Sequence, residues 1–218
     1  MAVNNKTNNE FRYERAEKTN KNFMYKDLRK ANCYHCNFSG SNFNFASFRG
    51  AHFKSCDFFG ATFKCAEFIA TNLKKSKFKK AKFEDAIFEG VTLDGVDFSD
   101  AEFKNVIFVG TDISKAINLK FNEDEVKFFD TMPEIEISED LKNAISIAME
   151  NDHVKRSRLL DTKNGGINTL SIMRLLENFK EKVLADGLKI LGDRLDKDIC
   201  TLSYIVKALN TYREEGLI

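Results

Sequence analysis

Cysteine and histidine lie close together near the start of the chain, in the order Cys33-Tyr34-His35-Cys36, and Cys56 follows Cys36 by 20 residues. Thiolate and imidazole groups at such spacings are typical zinc ligands. The five-residue repeat described below directs the three cysteines inward and His35 outward, and it supplies no fourth inward ligand. We therefore predict no metal site, and we interpret these cysteines as reduced side chains that pack like small apolar residues.

No arrangement typical of catalysis occurs in the sequence. The three histidines, His35, His52 and His153, have no nucleophile or metal-ligand partner at a useful spacing. There is neither a phosphate-binding glycine loop nor a nucleophile elbow. His153 lies among basic residues of a predicted helix and is interpreted as part of a solvated polar face. The sequence predicts a protein that is not an enzyme and that needs no cofactor.

A run of lysines is the remaining feature that could bind a ligand. Six lysines occur within nine residues: Lys74, Lys75, Lys77, Lys79, Lys80 and Lys82. Lysine-rich runs of this length are typical of nucleic-acid contacts, because they neutralise phosphates. Lys75, Lys79 and Lys80 are the candidate polyanion contacts.

All of these features except His153 lie in residues 21–118, where an apolar residue returns at every fifth position. From Phe23 to Ile113 there are 19 such centres, 14 of them Phe. A step of five fits neither an α-helix nor a flat strand, so the centres can all point inward only if the chain bends between them. The residue two before a centre is usually small, and six glycines lie two after a centre, where a type II turn needs a positive φ.

Four corners of about 90° close a square coil of about 20 residues, so the 19 repeats make nearly five coils of stacked strands. Units such as ASFRG, AHFKS, AEFIA, AKFED and AEFKN resemble the pentapeptide-repeat family. The resemblance implies an all-β solenoid, a right-handed quadrilateral β-helix. It also implies DNA gyrase or a topoisomerase as an alternative partner, because some members protect gyrase as DNA mimics.

The charge of the repeat argues against both DNA mimicry and nucleic-acid binding. Residues 21–118 carry 15 basic and 11 acidic side chains, a net +4, whereas a mimic of DNA must be acidic. Residues 20 apart should stack in one column, which places Glu84 between Lys64 and Lys104 and puts Lys82 on Glu102. The same rule gives at least three of the six lysines an acidic neighbour one coil away. We interpret the lysine run as a partly neutralised charge ladder, which disfavours DNA gyrase and nucleic acid as partners.

One face of the predicted solenoid carries apolar residues on its outer side. They are Ile69, Ile87, Ile107 and Val109, which we call the apolar strip. Outward apolar residues in neighbouring coils are typically covered in the folded protein. Either the chain's own C-terminal helices or a partner subunit is expected to dock there.

The segments on either side of the repeat have different patterns. Residues 1–20 are predicted to form a disordered start (residues 1–10) and an N-terminal cap with a short helix, and residues 119–137 a connector that caps the last coil. The region 138–218 is predicted to be an α-helical subdomain of about three helices, at about 138–160, 169–185 and 188–212. The third predicted helix carries a near-heptad seam: Leu188, Leu191, Leu195, Leu202, Ile205 and Leu209. This seam packs within the chain or forms a homodimer.

The composition of the chain favours one cellular compartment and one class of function. The sequence has no apolar run long enough to cross a membrane, and its first 20 residues lack the apolar core of a secretion signal. Its five cysteines, an odd number, do not indicate a disulfide framework. We expect a bacterial cytoplasmic protein that acts as an interaction or scaffold module for an unknown protein partner.

Overall fold

The computed structural model describes residues 11–218, so the predicted disordered start at residues 1–10 lies outside the described residues. The chain divides into two compact units, with the boundary between Thr131 and Met132. The first is a β-solenoid unit and the second is a helical unit.

Short parallel strands build the solenoid unit. They are β1 (Arg12–Glu14), β2 (Asn32–Tyr34), β3 (His52–Lys54), β4 (Thr62–Lys64), β5 (Glu67–Ile69), β6 (Lys82–Glu84), β7 (Ile87–Glu89), β8 (Glu102–Lys104), β9 (Val106–Val109) and β10 (Val126–Phe129). Three sheets result, in the orders β1-β2-β3, β4-β6-β8 and β5-β7-β9-β10. The fourth side consists of isolated parallel bridges, such as Asp57 with Lys77. Paired residues are 20 positions apart, as with Phe63 and Phe83, which confirms the predicted length of a coil.

The corners between strands have the predicted geometry. All six glycines two after a centre have a positive φ, for example +63° at Gly60. Many corners close with a hydrogen bond across the turn, such as the Ala46 N–H to the Phe43 carbonyl at 3.2 Å. Residues other than glycine also take this conformation, including Tyr25 and Lys75, so the stacked coils impose it where the residue type does not favour it.

Phenylalanine columns fill the interior of the solenoid. Phe48, Phe68, Phe88 and Phe108 form one column, with centroid separations of 4.5, 4.7 and 4.7 Å and nearly parallel rings. All four side chains are buried. The centres therefore point inward, and the interior is a packed core.

The solenoid is longer than the sequence predicts, with about six turns instead of nearly five. At its start, the predicted cap helix is wrong: Arg12–Glu14 forms β1 and pairs with β2 in the 20-residue register. The five-residue period extends back to an aromatic residue at Tyr13, but the centre between Tyr13 and Phe23 is Lys18, which interrupts the apolar pattern. Backbone pairing with the following coil gives this segment its conformation.

The end of the solenoid is also extended. The 3₁₀ turns Ile113–Lys115 and Glu123–Glu125 precede β10, which pairs with β9. Phe128 stacks on Phe108 with centroids 5.4 Å apart. The first part of the predicted connector is thus a further turn of the coil.

The helical unit contains five helices where the sequence predicts about three. They are α1 (Glu139–Ala148), α2 (Asp152–Ser157), α3 (Thr169–Leu176), α4 (Glu181–Arg194) and α5 (Leu202–Glu214). Ser138 caps α1, because its side chain accepts from the Leu141 N–H. The first predicted helix divides at Asn151, whose side chain accepts from the N–H groups of His153 and Val154 and so starts α2.

Gly187 falls between the second and third predicted helices, but in the structure it lies inside α4, at a point where α4 approaches α5 closely. A Cβ at Gly187 would lie 2.8 Å from Cγ of Leu209. On the same helix, a Cβ at Gly192 would lie 3.1 Å from the Cα of Ala148, at the end of α1. Both glycines allow the close packing of helices within this unit. None of the helices in the described part of the chain is long and apolar enough to cross a membrane.

Candidate interaction surfaces

The three inward cysteines form a buried thiol cluster in the first coils of the solenoid. The Cys36 thiol donates to the Tyr34 carbonyl at 3.3 Å, and the Cys56 thiol lies 3.5 Å from the Cys33 carbonyl. Burial raises the pKa of Cys56 to about 12 and that of Cys33 further. The thiols of Cys33 and Cys56 are therefore protonated at neutral pH, and both side chains pack as small apolar groups. Within residues 11–218, no group of three or more His, Cys, Asp or Glu side chains has a geometry that could hold a metal ion.

The charge ladder is present as predicted. Glu84 lies 3.3 Å from the ammonium groups of both Lys64 and Lys104, and Lys82 lies 3.1 Å from Glu102. These pairs join neighbouring coils along the outer surface. They are exposed, so each contributes only about 0–1 kcal/mol to stability.

The three candidate polyanion contacts have different surroundings. The Lys79 ammonium lies 3.3 Å from a carboxylate oxygen of Asp97. That of Lys80 lies 5.8 Å from the centroid of the Phe59 ring, and Lys75 is exposed at a corner. The three therefore do not converge on one anion-binding geometry, and their role as polyanion contacts stays a prediction.

Asp97 is the most strongly perturbed carboxylate of the ladder. Burial alone would raise its pKa, but the hydroxyl and the backbone N–H of Ser99 donate to it at 2.5 and 3.0 Å. Asn118 and Lys79 add further contacts at 3.3 Å, and together these groups lower the pKa of Asp97 to about 2.

This depressed pKa predicts a pH-dependent contribution to stability. The stabilisation is complete above the unfolded-state pKa of about 4 and is lost as the pH falls from about 4 to about 2. Asp97→Asn should lower the free energy of unfolding at pH 7 by about 2 kcal/mol, and the difference should vanish near pH 2. Urea unfolding at a series of pH values measures this. A difference between the two proteins that stays constant with pH would contradict the expectation.

Exposed aromatic and apolar side chains occur on the outside of the solenoid. Phe59 is 47% exposed, Met24 40% and Tyr25 37%. Tyr25 stacks on Phe45, with centroids 4.7 Å apart. Phe59 is not one of the candidate residues predicted from the sequence, although its position directly after the centre Phe58 directs its side chain outward.

The apolar strip follows β5, β7 and β9. Ile87 pairs with Ile107, and Ile69 and Val109 both pair with Glu89. All four side chains of the strip are buried. Docking of the helical tail or of a partner subunit on the strip stays a prediction.

Comparison with protein families matches the repeat twice. Residues 27–64 match the family described as Pentapeptide repeats (8 copies), and residues 63–120 match Pentapeptide repeats (9 copies). Residues 27–120 belong to the pentapeptide-repeat family. Comparison with curated proteins found no match.

Several solved pentapeptide-repeat proteins are similar to this chain. Rfr23 from the cyanobacterium Cyanothece 51142 is 16% identical, with 55% of this chain and 88% of that one covered and a TM-score of 0.39. HetL from Nostoc sp. strain PCC 7120, a protein involved in heterocyst differentiation regulation, is 19% identical, with 56% and 51% covered and a TM-score of 0.28. QnrB1, a plasmid-mediated fluoroquinolone resistance protein, is 21% identical, with 53% and 86% covered and a TM-score of 0.25.

The near-heptad seam lies in the helical unit, beyond the matched pentapeptide repeats. It does not lie on one helix, because α4 ends at Arg194 and α5 begins at Leu202. Leu195 follows α4 and is half-buried, whereas the other five seam residues are buried. The predicted continuous helix at residues 188–212 is therefore wrong. The two halves of the seam face each other within the unit, as the approach of Gly187 to Leu209 shows.

His153 is partly exposed on a polar face, as the sequence predicts, and it also pairs with a residue distant in the sequence. Its Nδ1 lies 2.9 Å from a carboxylate oxygen of Asp198, and Arg156 contacts the same oxygen at 3.1 Å. The hydrogen bond from His153 and the charge of Arg156 outweigh burial and hold the pKa of Asp198 below its usual value. This cluster ties α2 to the segment between α4 and α5.

Proposed function

We propose that this chain is a non-enzymatic protein-interaction module. The observation that carries the proposal is the filled interior of the pentapeptide-repeat domain, where Phe columns occupy the space from the first coil to the last. A partner of this domain meets the outward side chains, which the coils hold in fixed columns. The helical unit adds a second folded surface to the same chain. The odd number of cysteines, three of which are buried thiols in the solenoid, is typical of a reducing compartment, which supports a cytoplasmic location.

The surface around Phe59 is the proposed contact with a protein partner. Phe59 is an exposed phenyl ring on a mostly polar surface, with Lys80 beside it. Aromatic side chains that become buried on association supply much of the binding energy of protein interfaces. The lysines nearby would favour a partner with acidic groups around an apolar pocket. Mimicry of DNA at DNA gyrase has less support, because this side of the domain carries the lysine run.

Site-specific crosslinking tests the proposal. A photoreactive benzophenone amino acid in place of Phe59, expressed in a bacterial host, should form one discrete covalent adduct with a protein on irradiation. The same amino acid in place of Lys104, which is exposed in the charge ladder, is the matched control and should form no such adduct. Mass spectrometry identifies the partner. The absence of adducts from Phe59 and from a set of further outward positions would contradict the proposal.

An assay with purified DNA gyrase tests the alternative function, DNA mimicry. We expect supercoiling by gyrase, with and without a fluoroquinolone, to be unchanged by the addition of this protein. Protection of gyrase from the drug would instead favour DNA mimicry.

A further inference from the structure

The solenoid unit has opposite charges at its two ends. Its first coil, residues 12–31, contains seven Lys or Arg and three Asp or Glu, a net +4. Its last two coils, residues 92–131, contain four Lys or Arg and nine Asp or Glu, a net −5. The ion pairs of the charge ladder involve Asp97, Glu102 and Lys104 of the acidic end, and the other charged residues of that end still carry a net −4.

The charged side chains at both ends are exposed to solvent. At the basic end these are Arg12, Arg15, Lys21, Lys26 and Lys30, and at the acidic end they are Asp112, Glu123, Asp124 and Asp130. Lys21 and Lys26 occupy positions that hold small, buried residues in most later coils, yet both remain exposed. Exposed side chains of the opposite sign also occur, such as Glu14 and Glu17 at the basic end and Lys115, Lys120 and Lys127 at the acidic end, but the net charge of each end keeps its sign.

Apolar core residues reach the surface at the same two ends. Phe11, Tyr13 and Phe23 pack against the core of the first coil but are only partly buried. At the other end, Phe121 is partly buried and Phe128 is 43% exposed. Both ends thus combine an incompletely covered apolar centre with charged surroundings, a composition typical of contact surfaces.

Strand polarity permits the two ends to stack. β1 and β10 are edge strands of their sheets, and among the described residues no strand pairs with the outer edge of either. All coils wind in the same direction, so the first coil of one copy can lie on the last coil of another with the parallel polarity of neighbouring coils.

We propose that copies of this chain associate head to tail, with the basic first coil of one copy against the acidic last coil of the next. The contact joins two different surfaces, so each added copy leaves both kinds of end available for further association. The assembly therefore grows beyond a dimer as the concentration rises. A homodimer through a helical seam or through the apolar strip would close at two copies.

Sedimentation velocity of the full chain over a range of concentrations tests this assembly. At low salt the weight-average sedimentation coefficient should rise with concentration past the value for a dimer. Raising the salt from about 50 mM to about 500 mM should weaken association at least about tenfold, because the Debye length shortens to a few ångströms. Two double variants each remove most of the net charge of one end: Lys21→Glu with Lys26→Glu, and Glu123→Lys with Asp124→Lys. Each variant alone should weaken association at least about tenfold.

Mixing the two variants provides the decisive measurement. The first variant has an uncharged first coil but keeps its acidic end, and the second keeps its basic first coil but is nearly neutral at the other end. The mixture therefore still contains one complementary pair of ends, so complexes that contain both variants should form at concentrations where each alone is monomeric. Lys74→Glu with Lys75→Glu, which makes the same change of charge in the middle of the solenoid, is the matched control and should associate like the original protein.

Three outcomes would overturn the proposal: a monomer at all concentrations in low salt, no recovery on mixing, or a discrete dimer that the end variants leave unchanged. The test is independent of the surface around Phe59, so failure here leaves the proposed protein-interaction role standing.

Discussion

Phe58→Ala is expected to lower the free energy of unfolding of the solenoid unit by about 3–5 kcal/mol, the range for removing a buried phenyl ring from a packed core. Phe58 is fully buried. Its ring stacks on Phe38 at 5.3 Å and on Phe78 at 4.7 Å, and it meets Phe43 and Phe63 edge-on. Alanine would leave a cavity in the middle of a column whose neighbours are held by their own coils, so little collapse can fill it.

The next residue supplies the matched control. Phe59→Ala removes the same ring from the same corner, but this side chain is 47% exposed. Its effect on the free energy of unfolding should stay within about 0.5 kcal/mol, as for most surface substitutions. Guanidinium unfolding followed by circular dichroism measures both variants. Equal destabilisation by the two would show that the ring of Phe59 is buried in solution.

Ser76→Ala should lower the free energy of unfolding by about 2–4 kcal/mol, although it removes a single oxygen atom. The loss is large because two buried backbone groups lose their hydrogen-bond partner. The Ser76 hydroxyl donates to the Phe53 carbonyl at 2.7 Å and accepts from the Cys56 N–H at 2.9 Å. Both groups belong to the preceding coil, and Ser76 is fully buried. No water can replace the hydroxyl without enlarging the core.

Ser47→Ala is the control that separates the loss of hydrogen bonds from the loss of an oxygen. Ser47 is as fully buried as Ser76, but its hydroxyl has no hydrogen-bond partner among the described residues. Its replacement should be neutral or slightly stabilising, because an unpaired polar atom leaves the interior. Thermal unfolding of the two variants measures the difference. A similar loss of stability in both would contradict the role assigned to Ser76.

Hydroxyl side chains have the same role at other corners. The Thr111 hydroxyl donates to the Phe88 carbonyl and accepts from the Val91 N–H, and the Ser41 hydroxyl links Lys18 and Lys21 in the same way. Val91 and Cys56 lie at corners without a hydrogen bond across the turn. A hydroxyl from the next coil thus satisfies an N–H group that the turn leaves unpaired. The sequence shows only that these residues are small and does not reveal the hydrogen bonds that their hydroxyl groups make.

The sequence by itself determined the coil. A period of five with one large and one small inward residue has a single solution in which every Phe is buried, and the 20-residue register follows from it. The ion pairs of Glu84 and Glu102 with lysines of neighbouring coils could also be predicted, because residues 20 apart in the sequence lie next to each other in adjacent coils. The start of a helix at Ser138 could likewise be predicted from the sequence, because a helix N-cap depends only on the cap residue and the few residues after it.

Only the tertiary structure decided where the solenoid begins and ends, how the helices divide and which outward residues are buried. Lys18 breaks the pattern of the first coil, yet pairing of β1 with β2 supplies hydrogen bonds that no local signal contains. Gly187 reads as a helix break in the sequence, but its small size is used against Leu209, a residue 22 positions away. The pairing of His153 with Asp198 likewise joins residues 45 positions apart. Local periodicity carries the information for a repeat whose contacts recur at one fixed separation, whereas contacts between unlike elements depend on how those elements pack.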